Sequence, residues 1–85
     1  MSVYIVILSK KAEKQLDKLP DQIAFPIIEA IQTLEKDPRP KGCIKLKNRN
    51  GYRIRVGNYR VIYEIFDKEL IIDVIALGHR REIYL

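Results

Sequence analysis

The middle of the chain holds the residues most suited to binding an anion. From Pro38 to Tyr63 there are eight basic residues and no acidic one: Arg39, Lys41, Lys45, Lys47, Arg49, Arg53, Arg55 and Arg60. The other 8 basic and 11 acidic residues leave the rest of the chain at −3, so the net charge of +5 is a local property. Like charges this close in sequence repel one another unless an anion binds, and phosphate is the anion we expect.

The spacing of three arginines places them on one face of a predicted hairpin. The dipeptide Gly57-Asn58 separates two β-rich runs and predicts a two-residue turn. In that register Arg55 lies directly opposite Arg60, and Arg53 shares their face because side chains alternate along a strand. The other face carries apolar side chains suited to a core: Ile54, Val56, Val61, Tyr63 and Ile65. Opposed arginines are destabilising, which favours an anion-binding role, although a solvated open face is the alternative interpretation.

A second cluster of candidate residues closes the chain at 78–85. His79 has an ordinary pKa near neutrality, Arg80 and Arg81 are basic, and Tyr84 is aromatic. They directly follow a predicted strand, and residues at the rigid edge of a sheet often carry function. Each also has a purely structural explanation: a surface histidine, a solvated charge pair and a half-buried aromatic anchor.

Two predicted helices follow a predicted first strand. Val3–Leu8 is almost wholly apolar and predicts a strand covered at least partly on both faces. Ser9 can cap a helix whose apolar residues recur at spacings of four and three. Asp21 can cap a second helix that runs to about Lys36, although Pro26 is unfavourable in a helix interior and suggests a late start or a kink there.

The remaining patterns predict a loop and two strands. Residues 37–42 form a Pro- and Gly-containing loop, 44–47 alternate like a short edge strand, and Leu70–Leu77 is an apolar strand. Residues 1–85 therefore form one α+β domain, in which an N-terminal strand and an α-hairpin of two helices pack on a small antiparallel β-sheet.

The composition excludes several kinds of site. A single cysteine, Cys43, excludes an intramolecular disulfide, and a single histidine excludes a Cys/His zinc site, so we expect neither metal nor cofactor. Residues 1–8 lack the basic leader of a signal peptide, and no apolar run approaches the roughly 20 residues that span a bilayer. We therefore expect a cytoplasmic protein that does not contact a membrane.

The two clusters together resemble the RelE/ParE superfamily of toxins from toxin–antitoxin systems. The stretches that carry the resemblance are Tyr52–Glu64 (YRIRVGNYRVIYE) and Leu77–Tyr84 (LGHRREIY), with support from 38–40 and 45–47. The resemblance extends over essentially the whole chain, and the paired motifs are similar to the RelE branch. It implies the RelE-like microbial ribonuclease fold.

The resemblance also implies roles for individual residues. Arg53 and Arg55 fall where RelE-type toxins have basic strand residues, often lysines. Arg60 matches the arginine that contacts the scissile phosphate, Arg80 the basic residue after the last strand, and Tyr84 the tyrosine that stacks on a base. A further basic set is expected to contact message or ribosomal RNA: Lys41, Lys45, Lys47, Arg49 and Arg81.

The activity implied by the resemblance is ribosome-dependent, metal-free cleavage of mRNA in the A site, which inhibits translation. The partners implied are the ribosome, mRNA and a RelB-like antitoxin with an acidic segment. Arginine does not realistically deprotonate, so Arg53 and Arg55 are poor general bases. Electrostatic stabilisation is then the leading mechanism, with His79 as the possible acid or base and Glu82 or Tyr84 as further candidates.

Two other functions remain open from the sequence. A ParE-like protein would inhibit DNA gyrase by binding it, with no chemistry of its own. A degenerate relative would bind RNA without cleaving it, and its affinity would fall steeply with salt. The fold alone does not separate these functions, because sites and not folds carry function.

Overall fold

Two helices pack on one face of a five-stranded sheet in a computed structural model that describes residues 3–47 and 50–83. The elements in chain order are β1 (Ile5–Leu8), α1 (Lys10–Asp17), α2 (Asp21–Thr33), β2 (Ile44–Lys45), β3 (Tyr52–Val56), β4 (Tyr59–Phe66) and β5 (Ile71–His79). The predicted α+β class and the order of its elements are confirmed. The sheet order is β1-β5-β4-β3-β2, and it is mixed, because β1 pairs parallel to β5 while the other pairs are antiparallel.

Helix α1 begins where the sequence indicates, and α2 begins one residue earlier than predicted. Ser9 caps α1, where its Oγ accepts a hydrogen bond of 3.0 Å from the backbone N–H of Ala12. The predicted cap at Asp21 is wrong: Pro20 is the N-cap, without a side-chain hydrogen bond, and Asp21 is the first helical residue. Pro26 lies inside α2, and it does not delay the start of the helix. None of the helices in the described ranges is long and apolar enough to cross a membrane.

The main core lies between the helices and the sheet. Its fully buried members are Ala12, Ile27, Leu34, Val61, Tyr63, Ile72, Val74 and Leu77. Four of the five hairpin residues predicted for this face are buried there, and Val56 packs against them. We call this side of the sheet the helix face and the other side, which carries no helix, the open face.

The prediction that β1 is covered on both sides is wrong. Ile5 and Ile7 are 65% and 47% exposed. Both lie on the open face, since their neighbours Val6 and Leu8 pair with the core residues Ile72 and Val74. The apolar run indicated a strand but not its position, and β1 is an edge strand of a sheet that has helices on one side only.

Candidate functional site

The β3–β4 hairpin has the register that the sequence predicts. Val56 pairs with Tyr59 across the turn, and Arg55 pairs with Arg60. Gly57, the first turn residue, has φ of 60°, a conformation that is strained for residues with a β-carbon. Directly opposite residues have β-carbons about 5 Å apart, so the two arginines extend side by side from the open face.

Arg53 lies on the same open face, two pairs further from the turn, opposite Ile62. The Nε atoms of Arg53 and Arg60 are buried and have no hydrogen-bond partner among residues 3–47 and 50–83. Burial lowers the pKa of the Arg53 guanidinium, and the charges of Arg60 and Arg55 lower it further. Buried N–H donors normally have partners, and three clustered positive charges repel one another, so an anion bound near this cluster would stabilise it.

Pairing of β4 with β5 brings the second cluster to the first. Arg60 lies opposite Gly78, and the backbone N–H of Arg80 donates a hydrogen bond of 2.8 Å to the carbonyl of Asn58. A cleft of about 70 Å³ results, lined by Arg55, Gly57, Asn58, Tyr59, Arg60 and Arg80. We call it the arginine cleft. Its volume suits a phosphate-sized anion, and three guanidinium groups at its walls can donate several hydrogen bonds to one.

The cleft carries no compensating acidic group within the described part of the chain. In the described part of the chain Arg39 and Asp67 form an ion pair at 2.9 Å. It lies at the end of the hairpin away from the cleft. Residues 3–47 and 50–83 contain no group of three or more His, Cys, Asp or Glu side chains placed to hold a metal ion. The chemistry available in the cleft is therefore stabilisation of negative charge by fixed cations.

His79 lies on the other side of the sheet from the arginines. It pairs with Tyr59, and the two rings meet edge to face with centroids 5.5 Å apart. Its Nδ1 accepts a hydrogen bond of 3.2 Å from the backbone N–H of Arg81. This hydrogen bond occupies the Nδ1 lone pair of the ring.

The other predicted residues lie apart from the cleft. Lys45 pairs with Tyr52, and its Nζ lies 5.8 Å from the centre of that ring. Lys41 and Lys47 are exposed beside the edge strand β2, and Arg81 is exposed in the turn after β5. Arg49 and Tyr84 lie outside the described residues.

Sequence reasoning missed the contribution of the turn itself. Gly57, Asn58 and Tyr59 line the cleft together with the arginines, and Asn58 fixes the backbone of Arg80. The Gly-Asn dipeptide indicated the turn, but a turn signal says nothing about which distant segment bonds to its carbonyl groups. The strand pairing supplied that information.

Comparisons with known proteins identify the class to which this fold and site belong. Residues 6–84 match a family model described as the ParE toxin of the type II toxin–antitoxin system parDE. The chain therefore belongs to the RelE/ParE superfamily of type II toxins, as the motifs suggested.

Individual relatives are RelE-like. The chain is similar to Toxin RelG of Mycobacterium tuberculosis, with 30% identity over 95% of both proteins. It is similar to the putative toxin RelE1 of Methanocaldococcus jannaschii, with 31% identity over 93% of this chain and 92% of that protein. Its structure resembles the RelE chain of the archaeal RelE–RelB complex from Pyrococcus horikoshii, with a TM-score of 0.83 and 32% identity over 95% and 99% of the two chains. These similarities place the protein in the RelE-like branch.

Proposed function

We propose that this toxin is a ribosome-dependent endoribonuclease that cleaves mRNA in the A site and so inhibits translation. The observation that carries the proposal is the arginine cleft: Arg55, Arg60 and Arg80 meet at a phosphate-sized cavity, and the described residues there provide no carboxylate to neutralise them. RNA is a polyanion whose phosphates such a cleft can bind.

In the proposed reaction the ribose 2′-hydroxyl attacks the adjacent phosphorus, and the bond from phosphorus to the 5′-oxygen breaks. The products are a 2′,3′-cyclic phosphate and a 5′-hydroxyl; the 2′-hydroxyl loses a proton and the leaving oxygen gains one. Negative charge accumulates on the phosphorane oxygens, where the guanidinium groups of Arg60 and Arg80 stabilise it. Because the ribosome orients the mRNA, much of the entropy cost of aligning the reacting groups is met before the reaction.

Electrostatic stabilisation ranks first for this chain, and His79 ranks second as the acid or base. His79 lies on the helix face, and its Nδ1 lone pair is already used by the Arg81 N–H. Arginine remains protonated at any relevant pH. Electrostatic stabilisation by the cleft is therefore the main catalytic contribution of this chain, with Arg53 adding positive charge on the same face two pairs further along the hairpin.

The experiment that tests this function maps mRNA ends in a reconstituted translation reaction. New 5′-hydroxyl ends within codons, formed by the wild type only when ribosomes are present, are expected. The Arg80→Ala variant should lose them, whereas Lys68→Ala, which removes the same charge from an exposed loop position at the far end of the hairpin, should retain them. Equal cleavage by Arg80→Ala would contradict the role of the cleft.

The description of the matching family as ParE toxin favours a second candidate, inhibition of DNA gyrase. In that case mRNA stays intact in the same reaction, and supercoiling by purified gyrase falls when the toxin is added. Uncleaved mRNA together with RNA binding that weakens steeply with salt would instead indicate a non-catalytic relative.

A RelB-like antitoxin is the proposed partner. The similar P. horikoshii structure is a RelE–RelB complex, and the basic segment of this chain requires an acidic counterpart. We expect the antitoxin to place carboxylates against the arginine cleft, so affinity should fall with rising salt and in Arg55→Ala. Affinity that is independent of both would contradict this placement.

A further inference from the structure

The chain that leaves β5 turns back across the open face. The carbonyl of His79 accepts hydrogen bonds from the N–H groups of Glu82 at 2.8 Å and Ile83 at 3.3 Å. This turn returns the Ile83 side chain to the sheet, where only 9% of the residue is exposed. Ile83 packs there in a small cluster with Leu46, Ile62 and Ala76, separate from the main core.

Gly78 provides the space that Ile83 occupies. A β-carbon at Gly78 would lie 3.2 Å from Cγ1 and 3.3 Å from Cδ1 of Ile83. Gly42 and Gly57 have positive φ but Gly78 does not, so its backbone conformation does not require glycine. Its missing side chain therefore matters for packing: the isoleucine sits directly above the residue that pairs with Arg60.

The same short segment carries Arg80, which is held from two sides. On one side its N–H donates to the Asn58 carbonyl at 2.8 Å. On the other, Ile83 anchors the turn three residues later on the sheet. Residues 80–82 are exposed in the turn after β5, and a long arginine side chain loses its orientation when its backbone moves.

We propose that Ile83, seated over Gly78, is a positioning residue that holds Arg80 at the arginine cleft. The catalytic part of this inference rests on the proposed function, whereas the positioning itself concerns only the toxin. Ile83 does not line the cleft and acts through Arg80. Misplacing a charged group by about 1 Å can lower a rate by about 100-fold, so a small apolar contact can control a distant cation.

A double-mutant cycle tests the catalytic part. Ile83→Ala should lower single-turnover mRNA cleavage on ribosomes by about 10- to 100-fold. In an Arg80→Ala background the same change should cause no further loss, because the interaction that it disturbs is already absent. Ile83→Leu should retain most activity, and Gly78→Ala should lower it. Losses from Ile83→Ala and Arg80→Ala that multiply independently would overturn the proposal.

Amide hydrogen exchange tests the positioning without any activity. In free Ile83→Ala toxin the Arg80 amide, bonded to Asn58, should lose protection relative to amides of β4 and β5 in the main core. The control Ile31→Val perturbs the main core in α2 and should lower protection generally, with no selective loss at Arg80. Unchanged relative protection of Arg80 in Ile83→Ala would overturn the proposal, whatever the activity.

The two readouts distinguish failure of positioning from failure of the function. If wild-type toxin does not cleave mRNA but Arg80 loses protection in Ile83→Ala, the positioning is supported and the proposed nuclease function fails. If the wild type cleaves and Arg80 protection does not respond, the nuclease function is supported and the positioning role of Ile83 fails.

Discussion

The two faces of the sheet differ in what their side chains do. On the helix face, Val61, Tyr63, Ile72 and Val74 are fully buried against two helices. On the open face, β3 and β4 present Arg53, Arg55 and Arg60, with two guanidinium Nε atoms that lack partners in the described ranges. Because side chains alternate along a β-strand, the residues that stabilise the fold and those suited to binding lie on different faces of the sheet. One face buries apolar area, and the other holds arginines that repel one another.

The open face is itself divided. Near β1 it exposes apolar side chains, including Ile5 at 65% and Phe66 at 42%. Towards the hairpin it carries the arginines, and between them Ile62, Ala76 and Ile83 form the small second cluster. Apolar packing on this face therefore occurs where it can fix the segment that carries Arg80.

The largest expected effect comes from the same substitution made on the two faces. Ile72→Ala, at a fully buried position near the start of β5, should lower the free energy of unfolding by about 3 kcal/mol, since it leaves a cavity. Ile5→Ala, on the open face of β1, should change it by no more than about 0.5 kcal/mol. Urea denaturation measures both. Similar losses at the two sites would show that the open face also stabilises the fold.

Arg60→Ala should affect activity and stability in opposite ways. Loss of a preorganised donor should reduce single-turnover cleavage by about 100-fold, equivalent to about 2.7 kcal/mol of transition-state stabilisation. The free energy of unfolding should stay constant or rise by a few tenths of a kcal/mol, because Arg55 loses an opposed like charge. Ribosome-dependent cleavage and urea denaturation, measured on one preparation, test this. A variant that retains full activity would remove Arg60 from the mechanism.

Arg55→Glu sharpens the same contrast by reversing a charge. A carboxylate opposite Arg60 should raise the free energy of unfolding by about 0.2–1 kcal/mol at low salt, and the gain should shrink at high salt. RNA affinity should fall at the same time. Denaturation at two ionic strengths, with a filter-binding assay, measures both; a loss of stability would show that the arginine pair is not a source of repulsion.

The smallest effect concerns the ion pair away from the cleft. Hydrogen bonds from Arg39 and Tyr4 lower the pKa of the Asp67 carboxyl below its ordinary value. The stabilisation is therefore present above the unfolded pKa of about 3.9 and is lost as the pH falls through the lower folded value. Asp67→Asn should be slightly less stable than wild type at neutral pH and converge with it in acid. Both partners are about half exposed, so the difference should be small. A difference that persists once the pH is low enough to protonate Asp67 in the folded protein would contradict this origin.

Local patterns in the sequence determined most of the elements. The Gly57-Asn58 turn fixed the hairpin register and hence the shared face of Arg53, Arg55 and Arg60. Ser9 determined the start of α1 through its side-chain oxygen. These features depend on residues close in the chain, where turn chemistry, capping and alternation act directly.

The tertiary structure decided what lies across the sheet. Strand β1 became an exposed edge, because its neighbours and the side covered by helices are set by packing and not by its own apolar run. His79 was placed away from the arginines by its pairing with Tyr59, a consequence of the β4–β5 register and its irregularity at Ile62 and Tyr63. The hydrogen bond from Arg80 to Asn58 joins segments that are far apart in sequence. The contact of Ile83 with Gly78 forms because the chain turns back over the sheet after β5. The sequence by itself determined which residues carry the charge; long-range strand pairing decided which of them meet.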